Sequence, residues 1–185
     1  KPHIEVDADN GVIRLHCDPS SPIGTTVVNR LITNPFLERM RINKFGKESF
    51  SEEDFIILLK KSRPLFESQS ICMDIIDKIM NLEVKVNQKL DKKNDERANR
   101  KIYFEQEASS TLPESFILKT NIFVASKGEL EEHTFEVYLK YSYSQASLSF
   151  WLESLDLMEL QEAKRLEIVG EEVLKFNEEI PIIYH

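Results

Sequence analysis

The stretch TFEVYLKYSY, Thr134 to Tyr143, alternates without a break. Phe135, Val137, Leu139, Tyr141 and Tyr143 fall on one face, and Glu136, Tyr138 and Lys140 fall on the other. Successive side chains of a strand point to opposite faces, so the pattern predicts a half-buried strand and no helix. Such a strand needs paired neighbours and a layer over its apolar face. SQAS (Ser144 to Ser147) turns the chain into SLSFWLESL, which directs Leu148, Phe150 and Leu152 inward and Trp151 to the opposite face. Upstream, LEVKV (Leu82 to Val86) also alternates, IYFEQ (Ile102 to Gln106) offers a return strand, and SFILKTNIFVA (Ser115 to Ala125) a third. These runs predict an antiparallel, meander-like sheet.

Helical spacing marks the rest. Ser51 and Asp54 form a capping-box pattern ahead of Phe55, Leu58 and Leu59, which predicts a helix over Ser51 to Lys61, ended by Pro64. Ser70 is placed to cap a second helix, with Ile71, Ile75, Ile79 and Cys72, Ile76, Met80 as its apolar rows. FLERM (Phe36 to Met40) reads as a short helical turn. A last amphipathic helix over Asp156 to Asn177 brings Leu157, Leu160, Leu166, Val169, Val173 and Phe176 to close over the sheet. The expected fold class is therefore α+β: one domain over residues 1–185, an antiparallel sheet covered by a few amphipathic helices. The chain begins at Lys1 without a Met, which leaves room for a further N-terminal segment.

The string EVDADNGVIRLHC (Glu5 to Cys17) carries alternating acids like a calcium loop. Such a loop needs Gly at its sixth position and a bidentate Glu at its twelfth. Counted from Glu5 these are Asn10 and His16, and counted from Asp7 the sixth is Val12, so neither register works. A hairpin fits instead, with Ile4, Val6 and Ala8 on one strand, Ile13, Leu15 and Cys17 on the other, and Asn10-Gly11 as a two-residue type I′ turn. TTVVNRLIT (Thr25 to Thr33) is β-branched and reads as the next strand. Cys17 and Cys72 belong to no Cys-x-x-Cys pair and read as buried apolar residues. His3, His16, His133 and His185 show no ligand spacing in the sequence, so neither a metal nor another cofactor is expected. Nor does any nucleophile elbow, phosphate loop or ligand cluster appear, which points away from an enzyme and leaves no catalytic residue to name.

No apolar run approaches the roughly 20 residues of a membrane helix. With 41% hydrophobic and 30% charged residues, the composition is that of a folded globular chain. No membrane partner is expected, and the predicted compartment is the cytoplasm.

The C-terminal runs LPESFILKTNIFVASKG, HTFEVYLKYSYSQASLSFWLESLD and ELQEAKRLEIVGEEV, with the preceding SFSEEDFIILLKKSRPLF, resemble the YfdQ-like family of bacteriophage and prophage proteins. The resemblance covers about two thirds of the chain at the level of pattern, an apolar strand after Pro, an aromatic-rich alternating strand, a hairpin and an acidic helix. It departs at the first strand pairs, in the N-terminal extension that family members carry, and in a longer basic element. It implies a phage or prophage origin, hence the cytoplasm of an infected or lysogenic bacterium. The family is a domain of unknown function, so no site residue is implied.

Charge is unevenly spread. The chain carries a net charge of −8, yet KVNQKLDKKNDERANRK (Lys85 to Lys101) holds seven bases against three acids. Lys89, Lys92, Lys93, Arg97, Arg100 and Lys101 could contact phosphates from a hairpin tip, with Tyr103 and Phe104 near for stacking. Over Glu153 to His185 the balance reverses, and Glu159, Glu162, Glu171 and Glu172 offer an acidic surface to a basic protein. The leading expectation is a non-enzymatic phage or prophage interaction protein acting on a host or phage protein. The alternative is an accessory nucleic-acid-binding protein in phage DNA replication or recombination.

Overall fold

The computed structural model describes residues 1–21, 24–44, 48–93, 100–124, 131–144, 147–176 and 180–185, and the side chains of all of these except 83–84, 87–93, 144 and 147. In chain order the strands are β1 (His3–Asp7), β2 (Val12–His16), β3 (Thr26–Arg30), β4 (Ile32–Thr33), β5 (Phe50–Ser51), β6 (Ser115–Thr120), β7 (Phe123–Val124), β8 (His133–Ser144), β9 (Ser147–Glu153) and β10 (Ile182–Tyr184). The helices are α1 (Pro35–Met40), α2 (Glu52–Ser62), α3 (Gln69–Lys93), α4 (Arg100–Thr111) and α5 (Leu155–Val173). The class is α+β with mainly antiparallel sheets, as the patterning predicts. Where the sequence reads as one domain, the chain clusters into two compact units: 1–34 with 122–130 and 156–185, and 35–121 with 131–155. No helix among the described residues is long and apolar enough to cross a membrane.

The unit formed by 35–121 and 131–155 is built on the strong alternation. Its sheet runs β5-β9-β8-β6, all antiparallel, with Leu139 opposite Leu152 and Tyr141 opposite Phe150. Phe135, Val137, Leu139, Leu148, Phe150 and Leu152 are all buried, on the face predicted for them. The ring of Phe55 in α2 stacks on Phe150 with centroids 4.9 Å apart. Ser51 caps α2 as its sequence suggests, its Oγ accepting from the Asp54 amide at 3.2 Å and donating to the Asp54 carboxylate at 2.8 Å.

Helix α3 departs from expectation in three ways. Its first turn is held by Ser68, whose Oγ accepts from the Ser70 amide at 3.3 Å, so the cap lies two residues before Ser70. Cys72, Ile75, Ile76 and Ile79 are buried, while Ile71 and Met80 flank that stripe and are exposed. The helix also runs on through Leu82–Val86, which is not a strand. Leu82 and Val86 are four apart and both buried, so a segment that alternates over five residues presents one face of a helix equally well. IYFEQ is likewise helical within α4, where Phe104 and Ala108 are buried one turn apart and α4 packs on α3. The basic element is therefore no hairpin tip between strands. It comprises the end of α3, residues 94–99 outside the described ones, and the start of α4. SFILKTNIFVA also divides, into β6, which pairs with β8, and β7, which pairs with β4.

In the unit formed by 1–34, 122–130 and 156–185, the sheet order is β10-β1-β2-β3, antiparallel except that β10 runs parallel to β1. Ile4, Val6 and Ile13 pack against Val169 and Val173 of α5, with Leu15, Phe176 and Ile182 around them. Leu166 is exposed rather than part of that core. The β1–β2 turn spans four residues, Ala8–Gly11, because Asp7 pairs with Val12. Asp7 Oδ1 accepts from the Asn10 amide at 3.1 Å, and Gly11 alone takes a positive φ, +63°. A two-residue type I′ turn would need positive φ at Asn10 as well. A Cβ on Gly11 would come within 3.0 Å of Leu31 Cβ, so a larger residue there meets strain and a close contact together.

Cys17 is exposed, contrary to its reading as core, because the ladder ends there; Cys72 is buried as expected. Burial pushes the Cys72 thiol up to about 11, against a smaller opposing pull from Arg63. In the native protein a thiol reagent at pH 8 is expected to label Cys17 alone, with Cys72 reacting only after denaturation. Equal labelling of both before unfolding, read by mass spectrometry, would place Cys72 at the surface.

Candidate functional surface on the first sheet

Hydrogen-bond polarity along β2 decides which way each backbone group of this sheet points. The Cys17 amide donates to Thr25 O at 3.0 Å, and the Leu31 amide donates to Gly11 O at 2.8 Å. With the register of Leu15 to Val27 and Ile13 to Asn29, the odd-numbered residues of β2 form the hydrogen-bonded pairs with β3. Val12, Arg14 and His16 therefore turn their backbone groups to β1, while Thr26, Val28 and Arg30 turn theirs away from β2. That outer side of β3 pairs with no strand among the described residues. All five residues of β3 are exposed, Val27 at 54% and Val28 at 52%.

The same register places His3 directly opposite His16. Their rings stack with centroids 4.6 Å apart and planes inclined by 16°. Glu5 follows His3 by two positions on the same face and reaches both rings, Oε1 lying 3.7 Å from His3 Nε2 and Oε2 3.2 Å from His16 Nε2. The three side chains are half-buried and offer one ligand atom each within 4.8 Å of one another. Both Nδ1 atoms face oxygen: His16 Nδ1 lies 3.2 Å from Thr26 Oγ1, and His3 Nδ1 lies 3.4 Å from the Lys1 carbonyl. His16 Nε2 is shut off from water and meets no well-formed hydrogen bond, although a Glu5 carboxylate oxygen lies 3.2 Å away. The Glu5 carboxyl is held below the usual carboxylate range, first by the hydrogen bond from His16 and then by the charges of His16, His185 and His3, with desolvation opposing. Asp7, farther along β1, is lowered chiefly by the Asn10 side chain.

The residues singled out from the sequence lie elsewhere and do not converge. Glu159, Glu162 and Glu171 are exposed along α5, and Glu172 is half-buried and ion-paired with Lys175. Basic side chains intersperse that helix: Lys164 Nζ lies 2.9 Å from Glu167, and Arg165 donates to the Asp9 carbonyl at 2.5 Å. Of the basic set, Lys89, Lys92 and Lys93 lie on the last turns of α3, and Arg97 falls outside the described residues. Arg100 and Lys101 open α4, Lys101 lying 3.7 Å from Glu105. Phe104 is buried and stacks on Tyr143 with centroids 4.7 Å apart, so it is not free to stack on a base.

The His3–Glu5–His16 group is what sequence reading missed. Its members come from two adjacent strands of one hairpin, and only the pairing register sets His16 against His3. The chain matched no protein-family model, no curated protein and no solved structure.

Proposed function

We propose that this chain is a non-enzymatic interaction protein that takes up an extended segment of a protein partner on the open edge of β3. The observation that carries this reading is the outward set of backbone groups at Thr26, Val28 and Arg30, flanked by exposed Val27 and Val28. Exposed edges are normally blunted by charged side chains, Pro or a bulge, and β3 has only Arg30, at its end. An edge left open in this way is the receptor for β-strand addition, in which main-chain bonds give affinity and alternate side chains give selectivity. The fitting segment places an apolar residue beside Val28 and a carboxylate beside Arg30, since cross-strand neighbours of these kinds attract. The resemblance to phage proteins in the C-terminal region makes a host or phage protein the proposed source of that segment. A phosphate-binding role for the basic element has weaker support, because its bases are spread over two helices and Phe104, one of its two aromatic neighbours, is buried.

Amide exchange tests the proposal by nuclear magnetic resonance. In the free protein the amides of Thr26, Val28 and Arg30 are expected to exchange fast, and those of Val27 and Asn29, bonded to β2, slowly. A panel of extended peptides alternating apolar and acidic residues should include a ligand that slows the first group. Val28→Pro should abolish that binding while leaving the β2 ladder intact, because the amide it removes points outward. A bound peptide that protects other amides instead, or retained binding by Val28→Pro, would sink the edge as the docking site.

A further inference from the structure

We infer that His3, Glu5 and His16 form a binding site for a single late first-row divalent metal ion of the zinc class. This goes beyond strand docking and depends on different atoms, the side chains on one face of the sheet rather than the backbone at its edge.

Zinc binds imidazole nitrogen and carboxylate oxygen at about 2.0–2.2 Å in a tetrahedron, which sets neighbouring ligand atoms about 3.3–3.6 Å apart. Here the carboxylate lies 3.2 Å from one imidazole nitrogen and 3.7 Å from the other, and all three ligand atoms fall within 4.8 Å. The stacked rings point their nitrogens nearly parallel, so one ion takes both only when side-chain rotation turns at least one ring out of the stack. The ligands sit in β1 and β2, paired strands whose backbone fixes the spacing, as sites built on regular elements require.

The outer nitrogens complete the arrangement. A ring nitrogen that faces a carbonyl must carry the proton, so the contact of His3 Nδ1 with the Lys1 carbonyl leaves the Nε2 lone pair for a metal. Thr26 Oγ1 does the same for His16 when it accepts from Nδ1. Oxygen behind each ligating imidazole is the usual outer support of a metal site. His16 Nε2 is also closed off from solvent with poor hydrogen-bond geometry, an expensive position for a polar atom that a metal bond relieves. Two imidazoles and one carboxylate suit zinc, copper, nickel or cobalt, and suit calcium or magnesium poorly. Three protein ligands leave the fourth position to water or to a donor from outside the chain.

The test is calorimetric titration of the full chain, free of any affinity tag, with zinc sulfate at pH 7. One ion per chain is expected, with affinity reduced about 100-fold or more in His3→Gln and in His16→Gln. Thr26→Val, which removes only the outer oxygen, should lose about tenfold. Cobalt(II) should give the intense visible bands of a tetrahedral site and lose them when zinc is added. All three substitutions lie on the face away from the α5 core, and circular dichroism of the metal-free variants checks that they fold. Should a variant misfold, the wild-type imidazole resonances decide: zinc must shift those of His3 and His16 ahead of those of His133 and His185. No binding by the wild type, binding unchanged in the His3→Gln/His16→Gln double variant, or calcium and magnesium binding as tightly as zinc would each overturn the inference.

Discussion

Phe150→Ala is expected to cost about 3–5 kcal/mol of stability in guanidinium denaturation. The side chain is fully buried in β9, with Tyr141 opposite it in β8 and Phe50 opposite it in β5. It also carries the stack with Phe55, through which α2 is held to the sheet. Truncation thus leaves a void bordered by strands and a helix that cannot all close in, and cost rises with the cavity that remains. Trp151→Ala at the next position, on the opposite face, should cost less. A loss below about 1 kcal/mol at Phe150 would mean that the covered face of this sheet is the other one.

Lys85→Pro should cost about 3 kcal/mol or more, against about 1 kcal/mol for Lys85→Gly. The residue lies inside α3 with its side chain 46% exposed, and its ion pair with Glu107, at 3.7 Å, is worth at most about 1 kcal/mol at such exposure. Almost the whole effect of Pro therefore comes from the backbone, through the lost amide and the clash of its ring with the preceding turn. The same change in an edge strand with its amide outward would be nearly harmless, so the ratio of Pro to Gly reports which element Lys85 occupies. Similar costs for the two variants would argue against a continuous helix.

That segment shows where the sequence stops speaking for itself. Ten residues of strict alternation at Thr134 to Tyr143 admit only a strand, and β8 and β9 carry their apolar residues on the expected face. Five residues at Leu82 to Val86 admit two answers, since an apolar pair at i and i+4 fits both periods. What settles it is tertiary: α4 lies alongside, and the helix that Leu, Glu and Lys already favour is the one that packs.

The histidine cluster was hidden by one turn. A two-residue turn at Asn10-Gly11 would set Glu5 opposite His16 and His3 opposite Asp18, so the two imidazoles would not face each other. The four-residue turn Ala8–Gly11 slides the pairing by two positions, which keeps every apolar side chain on its face but brings His3 against His16. Face parity was legible from alternation, whereas register hung on whether Asn10 would adopt a positive φ. The open edge of β3 was equally out of reach, because a strand with β-branched residues on both faces looks the same at the centre of a sheet as at its rim.

The parallel pairing of β1 with β10 bears on how the protein is made. Ile4 meets Ile182, and Val6 meets Tyr184, across nearly the full length of the sequence. During synthesis the hairpin of β1 and β2 leaves the ribosome with Ile4, Val6 and Ile13 uncovered, and neither α5 nor β10 exists until residues 35–154 have been made. The segments 35–121 and 131–155 have all emerged by then and are free to settle first. Strands β1 and β2 thus wait with bare apolar surface until their cover is made, the interval in which they are most open to aggregation.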